Sequence, residues 1–111
     1  DRLLAARSAA DLFEAVVVLK GAATVTAEPN GEAWINPFSN NGMASGGMGD
    51  VLTGVIAALM AANDDPMTSA VAGVYLHGLA GDIAGREMGP RGFLATDVAE
   101  RLPQAYKALW D

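Results

Sequence analysis

The sequence predicts an α/β chain: a leading helix, one buried strand, an edge hairpin and then three helices. Three observations carry this. Ala15–Lys20 reads A-V-V-V-L-K, a β-branched run without alternation that suits a strand buried on both faces. The turn signal Pro29-Asn30-Gly31 separates T-V-T from the apolar pair Trp34 and Ile35, which predicts a hairpin. From Asp50 onward, apolar residues recur at the 3.6-residue period of a helix with one buried face.

Composition sets the outer bounds. A chain of 111 residues holds at most one domain, and 51% apolar with 18% charged residues is the profile of a globular chain with a modest core. The net charge of −6 argues against non-specific nucleic-acid binding and against an anionic membrane surface. Any phosphate site must then rest on local backbone dipoles. Cysteine is absent and histidine occurs once, which removes disulfides, thiolate metal sites and histidine-rich metal clusters. The lack of cysteine fits a cytoplasmic enzyme. No signal peptide is visible, and the most apolar stretch, Ala70 to Ala84, contains His77 and Asp82 and is too short to span a bilayer.

In order along the chain, Asp1 to Phe13 reads as an amphipathic packing helix that opens without a cap or lead-in, as if cut from something longer. Leu3, Leu4, Leu12 and Phe13 are its apolar positions, and Arg2, Arg7, Asp11 and Glu14 its wet side. Lys20 and Gly21 close the strand that follows; the lysine either snorkels to water or meets a phosphate. Ala23–Glu28 and Glu32–Asn36 form the hairpin, with Trp34 and Ile35 as apolar anchors. Asp50–Ala62 is helical, with Val51, Leu52, Val55, Ile56, Leu59 and Met60 on one face. Asn63-Asp64-Asp65-Pro66 breaks it, with Asp65 as cap and Pro66 at the first position of the next helix.

That next helix, Met67–Arg86, is the longest and carries Gly73, Gly78, Gly81 and Gly85. A glycine inside a helix costs about 1 kcal/mol relative to alanine, so the set implies close approach of another helix or of a ligand, with Gly85 belonging to the C-cap. His77 reads as a hydrogen-bonded core or surface residue, and Asp82 as the i, i+4 partner of Arg86. Phe93 and Leu94 return to the core after a loop. Thr96 or Asp97 caps a last helix running to about Trp110, with Val98, Leu102, Tyr106 and Leu109 facing in. Pro103 bends that helix or shifts its start.

The stretch from Asn36 to Gly54, N-P-F-S-N-N-G-M-A-S-G-G-M-G-D-V-L-T-G, is the one that points to chemistry. Gly42, Gly46, Gly47 and Gly49 let the backbone approach a ligand closely. A helix start presents free N–H groups and partial positive charge, which suits phosphate. Asp50 at that start would sit beside the anion and take a proton from an attacking hydroxyl. The alternative is a glycine-rich turn in which Asp50 serves only the helix dipole.

Three blocks carry a resemblance: V-V-V-L-K-G-A-A-T at Val16–Thr24, the glycine stretch at Asn36–Gly54, and G-V-Y-L-H-G-L-A-G-D at Gly73–Asp82. Together they resemble the ADP/ATP-dependent NAD(P)H-hydrate dehydratases of the ribokinase-like superfamily. The resemblance implies that residues 1–111 are a partial domain, the nucleotide-side, C-terminal portion of a three-layer α/β/α sandwich. It implies the nucleotide-driven repair of hydrated NADH or NADPH, by phosphorylation of the ring hydroxyl and loss of phosphate. It assigns nucleotide contacts to Lys20, Gly21, Ala22, Ala23 and Thr24, and to Asn40, Asn41, Gly42, Met43, Ala44, Ser45, Gly46, Gly47, Met48 and Gly49. Within these, the N–H groups of Gly47, Met48 and Gly49 would form an anion hole. Asp50 would contact the hydrate as the base, ADP or ATP would be the donor, and Mg²⁺ would ride on the phosphates.

The family commonly has a Thr-Gly-Asn-Pro-Gly-type run where this chain has Phe38-Ser39-Asn40-Asn41-Gly42. Its members are also well over twice as long, so the chain alone is expected to be inactive and to self-associate or join the missing N-terminal half. A ribokinase-like small-molecule kinase for a vitamin precursor or sugar, and a catalytically silent nucleotide-binding fragment, stand as the alternative readings.

Overall fold

In the computed structural model, which describes residues 1–38, 43, 45–63 and 65–110, the chain begins with helix α1 (Arg2–Phe13). Asp1 caps it after all: its carboxylate accepts from the Leu3 N–H at 2.9 Å and the Leu4 N–H at 3.4 Å. Glu14 ends it in the left-handed region at φ 52°. The buried face of α1 is Ala6 and Ala10, flanked by Leu3. Leu12 (76% exposed), Phe13 (69%) and Leu4 lie outside it, contrary to the expectation that they would pack. Small side chains let the helix axis come close to the sheet, and the larger ones are left on flanks that nothing among the described residues covers.

Three strands follow, β1 (Val17–Leu19), β2 (Val25–Ala27) and β3 (Ala33–Ile35), paired antiparallel in the order β1-β2-β3. The hairpin is as expected, with Thr26 opposite Trp34. Its turn places Asn30 in the left-handed region at φ 54°, and the Asn30 N–H donates to Asp11 Oδ1 of α1 at 2.7 Å. The expected buried strand is corrected. Val17–Leu19 is only half-buried and lies at one margin of the three strands, paired to β2 at residues 17–19. The fully buried strand is β2, because it alone has a neighbour on each side. Trp34 and Ile35 are also corrected: at 49% and 55% exposed they lie on the outer margin and anchor nothing.

Period-2 alternation divides β2 between two layers. Val25 and Ala27 pack with Ala6 and Ala10 of α1, while Thr26 is buried on the other face, where α3 packs. That second layer holds α2 (Met48–Ala62) and α3 (Pro66–Met88). Asp65 caps α3 by accepting from the Met67 N–H at 3.3 Å, with Pro66 at the first position. The cap beyond α3 is Gly89 at φ 95°, so Gly85 belongs to the helix interior. Asp82 and Arg86 do form the expected surface pair, an interaction of small energetic weight.

The last helix is in fact two, α4 (Ala95–Glu100) and α5 (Leu102–Trp110). Leu94 holds the cap position of α4, and the Asp97 carboxylate accepts from the Leu94 N–H at 2.7 Å. Thr96 is inside the helix. Pro103 sits at the second position of α5, where its missing N–H costs nothing, and so it sets a new start instead of a bend. Val98 and Phe93 are buried with Leu76, Ala80, Ala84, Ala105 and Met48, whereas Leu94, Tyr106 and Leu109 are exposed, as is Met60 of α2. No helix among the described residues is long and apolar enough to cross a membrane.

Glycines set how closely α3 meets its neighbours. A Cβ at Gly73 would stand 2.6 Å from Ile56 Cγ1 and 3.4 Å from the Ile56 Cα of α2, so the two helices meet backbone to side chain. Gly54 of α2 faces open space. Gly73→Ala is therefore expected to lower stability by ~1–3 kcal/mol through overpacking. Gly54→Ala should be neutral or stabilising by up to ~1 kcal/mol, as helix propensity dictates. Urea denaturation of the two variants checks the contrast.

Candidate functional site

The start of α2 is built to receive something negative. Gly47 holds the cap position at φ 90°, and a Cβ there would stand 3.3 Å from Ala95 Cβ, so both backbone angle and space call for glycine. The first intrahelical bond runs from the Val51 N–H to the Gly47 carbonyl at 3.1 Å. The N–H groups of Met48, Gly49 and Asp50 thus point out of the helix end, and no side chain among the described residues caps it. Thr53 Oγ1 donates to the Gly49 carbonyl at 2.9 Å and ties the first turn together.

Lys20 meets this turn from the end of β1. A Cβ at Gly49 would lie 2.5 Å from Lys20 Nζ, so the ammonium occupies the space a side chain would take. Lys20 makes no ion pair with a carboxylate among the described residues. Free backbone N–H groups, the helix dipole and an ammonium together favour an anion such as phosphate.

A cleft of about 350 Å³ opens beside that turn. Lys20, Gly21, Ala22, Thr24, Met48 and Gly49 form one part of its lining, and Phe38, Met43, Leu52 and Val74 form apolar walls. Phe38 also meets Tyr75 edge to face, ring centroids 5.1 Å apart. An apolar slot beside an anion site suits a ligand with a flat body and a charged end.

The sequence-derived site residues divide as follows. Lys20, Gly21, Ala22, Thr24, Met43, Met48 and Gly49 come together on the cleft. Ala23 does not line it; its carbonyl accepts from Arg2 at 3.1 Å. Gly46 and Gly47 form the exposed turn ahead of α2, and the Ser45 hydroxyl is buried without a partner. Asp50 is the third residue of α2 and the acid of its first turn; its side chain is exposed, beside the cleft instead of in its wall. Asn40, Asn41, Gly42 and Ala44 lie outside the described residues.

The cleft also contains Asn36 and Phe38, to which the sequence assigned no site role, and Gly78, which it marked only as a point of close approach, and it gives His77 a place the sequence had not assigned. Asn36 Oδ1 and His77 Nε2 are both buried without a hydrogen-bond partner among the described residues. Gly78 was the available signal. A Cβ there would stand 2.9 Å from Phe38 Cδ2 and 3.0 Å from Asn36 Nδ2, so the glycine beside His77 marks where the cleft wall leans on α3.

Burial holds His77 well below its usual range, with the charge of Lys20 adding to it and the Met48 backbone opposing, which leaves it at about 4 from an ordinary 6.5. The ring is thus neutral at physiological pH, and the positive charge of the cleft comes from Lys20 and the helix start.

A cleft at a helix N-terminus, with a lysine brought to it from a strand end, is the geometry found at α/β nucleotide-phosphate sites. A profile of NAD(P)H-hydrate dehydratases matches residues 1–104, and the chain belongs to that family. It is 48% identical over 109 residues to a bifunctional NAD(P)H-hydrate repair enzyme, Nnr, of Moorella thermoacetica, covering 98% of this chain and 21% of that protein. It is 38% identical over 95 residues to the ADP-dependent (S)-NAD(P)H-hydrate dehydratase of Bacillus subtilis, covering 86% of this chain and 34% of that one.

Among solved structures, the ADP/ATP-dependent NAD(P)H-hydrate dehydratase of Bacillus subtilis co-crystallised with ATP and Mg²⁺ superposes with a TM-score of 0.92 at 36% identity, over 97% of this chain and 39% of that one. A ribokinase-like superfamily protein of Enterococcus faecalis superposes at 0.76 with 34% identity, over 92% of this chain and 35% of that one. The fold is accordingly ribokinase-like, and the chain spans only part of the length of the relatives it matches.

The His77 environment sets a pH dependence whose sign is fixed. The unfolded chain takes up the proton near 6.5 and the folded chain only near about 4. The stability contributed by neutral His77 should be complete above pH 6.5 and lost as the pH falls from 6.5 toward 4. Urea unfolding of the parent and of His77→Gln at several pH values isolates it: the gap between the two should change across that window and stay level above it.

Proposed function

We propose that residues 1–111 are the nucleotide-side part of an NAD(P)H-hydrate dehydratase domain, and that the whole enzyme restores hydrated NADH or NADPH at the expense of ADP or ATP. The observation that carries this reading is the meeting of three groups at one helix start: the free N–H groups of α2, Lys20 from β1, and Asp50 one turn in. The family match gives that anion site its substrate class.

In this reading the N–H groups of Met48 and Gly49, with the Gly47 turn, receive the transferring phosphoryl group, and Lys20 offsets its charge. Stabilising charge at fixed dipoles in a partly enclosed cleft is the main means by which phosphoryl transfer is accelerated. The Gly21–Thr24 loop and residues 40–49 hold the rest of the nucleotide, with its flat base against the apolar cleft wall. The site residues fit a polyphosphate: uncapped N–H groups, an ammonium without a carboxylate partner, and a glycine where a Cβ would intrude. Mg²⁺ belongs on the phosphates, where it would supply further charge neutralisation.

Asp50 is exposed in the first turn of α2, beside the anion site. It serves as the base that takes the proton from the ring hydroxyl of the hydrate as phosphate is transferred to that oxygen. Loss of phosphate, together with a proton from the adjacent ring carbon, then restores the double bond of the reduced nicotinamide. Hydrate binding needs surface beyond these residues, so the remainder of the domain, or a second copy of the chain, completes the site. Exposed Leu12, Phe13, Trp34 and Ile35 are the apolar surface such an association would cover. A cytoplasmic location belongs to the same proposal.

Two substitutions in the whole enzyme test the assignment. Asp50→Asn should lower turnover by roughly 10²–10⁴-fold and leave nucleotide affinity within a few-fold, as expected for loss of a general base. Gly49→Ala should instead displace Lys20 and weaken nucleotide binding about tenfold, the scale of one charge-assisted contact. Recovery of reduced-nicotinamide absorbance reads turnover, and calorimetry with ADP and ATP reads binding. Full turnover by Asp50→Asn would sink the base assignment, and a stable phosphorylated product would point to a kinase.

A further inference from the structure

The loop between β1 and β2 is held from outside by α1. Arg2, the first residue of that helix, donates from Nη2 to the Leu19 carbonyl at 3.1 Å and to the Ala23 carbonyl at 3.1 Å. One acceptor lies just before the loop and the other near its end, so a single guanidinium nitrogen joins its two feet. The guanidinium also lies over Gly21, where a Cβ would stand 2.5 Å from Nη2 and 2.8 Å from Cζ and Nη1. The ion pairs among the described residues are Arg86–Asp82 and Arg101–Glu87, so Arg2 is engaged by neutral carbonyls and keeps its full charge.

We propose that Arg2 is a positioning residue for residues 20–24. It clasps the loop at both feet and sets Lys20 and the loop backbone before a nucleotide arrives. The proposal rests on the nucleotide reading of the cleft for its purpose, though not for its geometry. Charge-assisted bonds to carbonyls are stronger than neutral ones, and the planar guanidinium makes both from a fixed direction. A loop already in its binding conformation spares the ligand the cost of ordering it.

Gly21 has a defined part in this clasp. What a side chain at Gly21 would strike is the far end of a flexible arginine, not backbone. Gly21→Ala should therefore leave the fold intact and push the guanidinium off the loop, reproducing the loss of Arg2.

The test compares Arg2→Ala, Arg2→Lys, Gly21→Ala and the Arg2→Ala/Gly21→Ala pair in the whole enzyme, by amide exchange at Ala22, Ala23 and Thr24 and by steady-state kinetics. Arg2→Ala should speed exchange of these amides about tenfold and raise the nucleotide KM about tenfold with kcat within about twofold, the scale of two lost hydrogen bonds to a charged group. Arg2→Lys, which retains one cationic donor, should recover part of the loss. Gly21→Ala should match Arg2→Ala, and the pair should be no worse than either alone, since both remove one interaction.

Parental exchange and parental KM in Arg2→Ala would overturn the proposal. So would a Gly21→Ala effect that persists undiminished once Arg2 is gone. If Arg2→Ala fails to fold, Arg2→Lys and Gly21→Ala decide the matter. A parent enzyme without nucleotide-dependent turnover would remove the functional reading alone, and the exchange measurements would still decide the clasp.

Discussion

The uncapped first turn of α2 is the constraint from which the rest of the site follows. Among the described residues no side chain caps its N–H groups, and the glycines around it keep that end open. Gly47 takes a backbone angle that side chains disfavour, and Gly49 leaves room for an ammonium. Met48, between them, is buried in the core with Leu76 and Phe93, so the turn is anchored at its middle residue. The core cluster thereby reaches directly to the anion site. His77 lies under the same turn and stays uncharged, so no buried imidazolium competes with Lys20. A helix start without a cap is a local cost to stability of about 1 kcal/mol, offset here by packing of α2 on α3.

How much of this was legible in the sequence depended on the scale of the signal. Features fixed within a few residues were readable: the Pro29-Asn30-Gly31 turn, the Asp65-Pro66 start of α3, and the break of α2 near Asn63. The glycines of α3 were also readable as points of close approach, and Gly73 and Gly78 meet Ile56 and Phe38. Faces were harder. A periodic pattern marks where apolar side chains lie on an element, but burial depends on what arrives from elsewhere in the chain. In α1 the alanines went inward because they permit the closest approach, and Leu12 and Phe13 stayed outside. The V-V-V-L run carried a strand signal without revealing that the run has only one neighbour among these strands.

The candidate site shows the same division. Lys20, Gly21 and the glycines before Asp50 could be named from motif alone. Asn36 and His77 could not be ranked, since a lone buried amide or imidazole is ordinary in a core. Only the cleft shows that the two residues line one region. Arg2 was read as a solvent-facing residue, and exposure by itself did not betray that its guanidinium spans a loop on the neighbouring strands. The two ends of the cleft therefore depend on different layers of the fold. The β1–β2 loop is braced from the α1 side, and the α2 turn from the α3 side.

Phe38 and Met43 add a last consequence. Phe38 rests at Gly78, and Met43 rests at Gly81, where a Cβ would stand 2.8 Å from its Cε and 3.1 Å from its Cγ. These two seats are three residues apart on one helix, a rise of about 4.5 Å. α3 thus acts as a ruler for the glycine-rich segment: it sets the distance between two footings five residues apart in the chain.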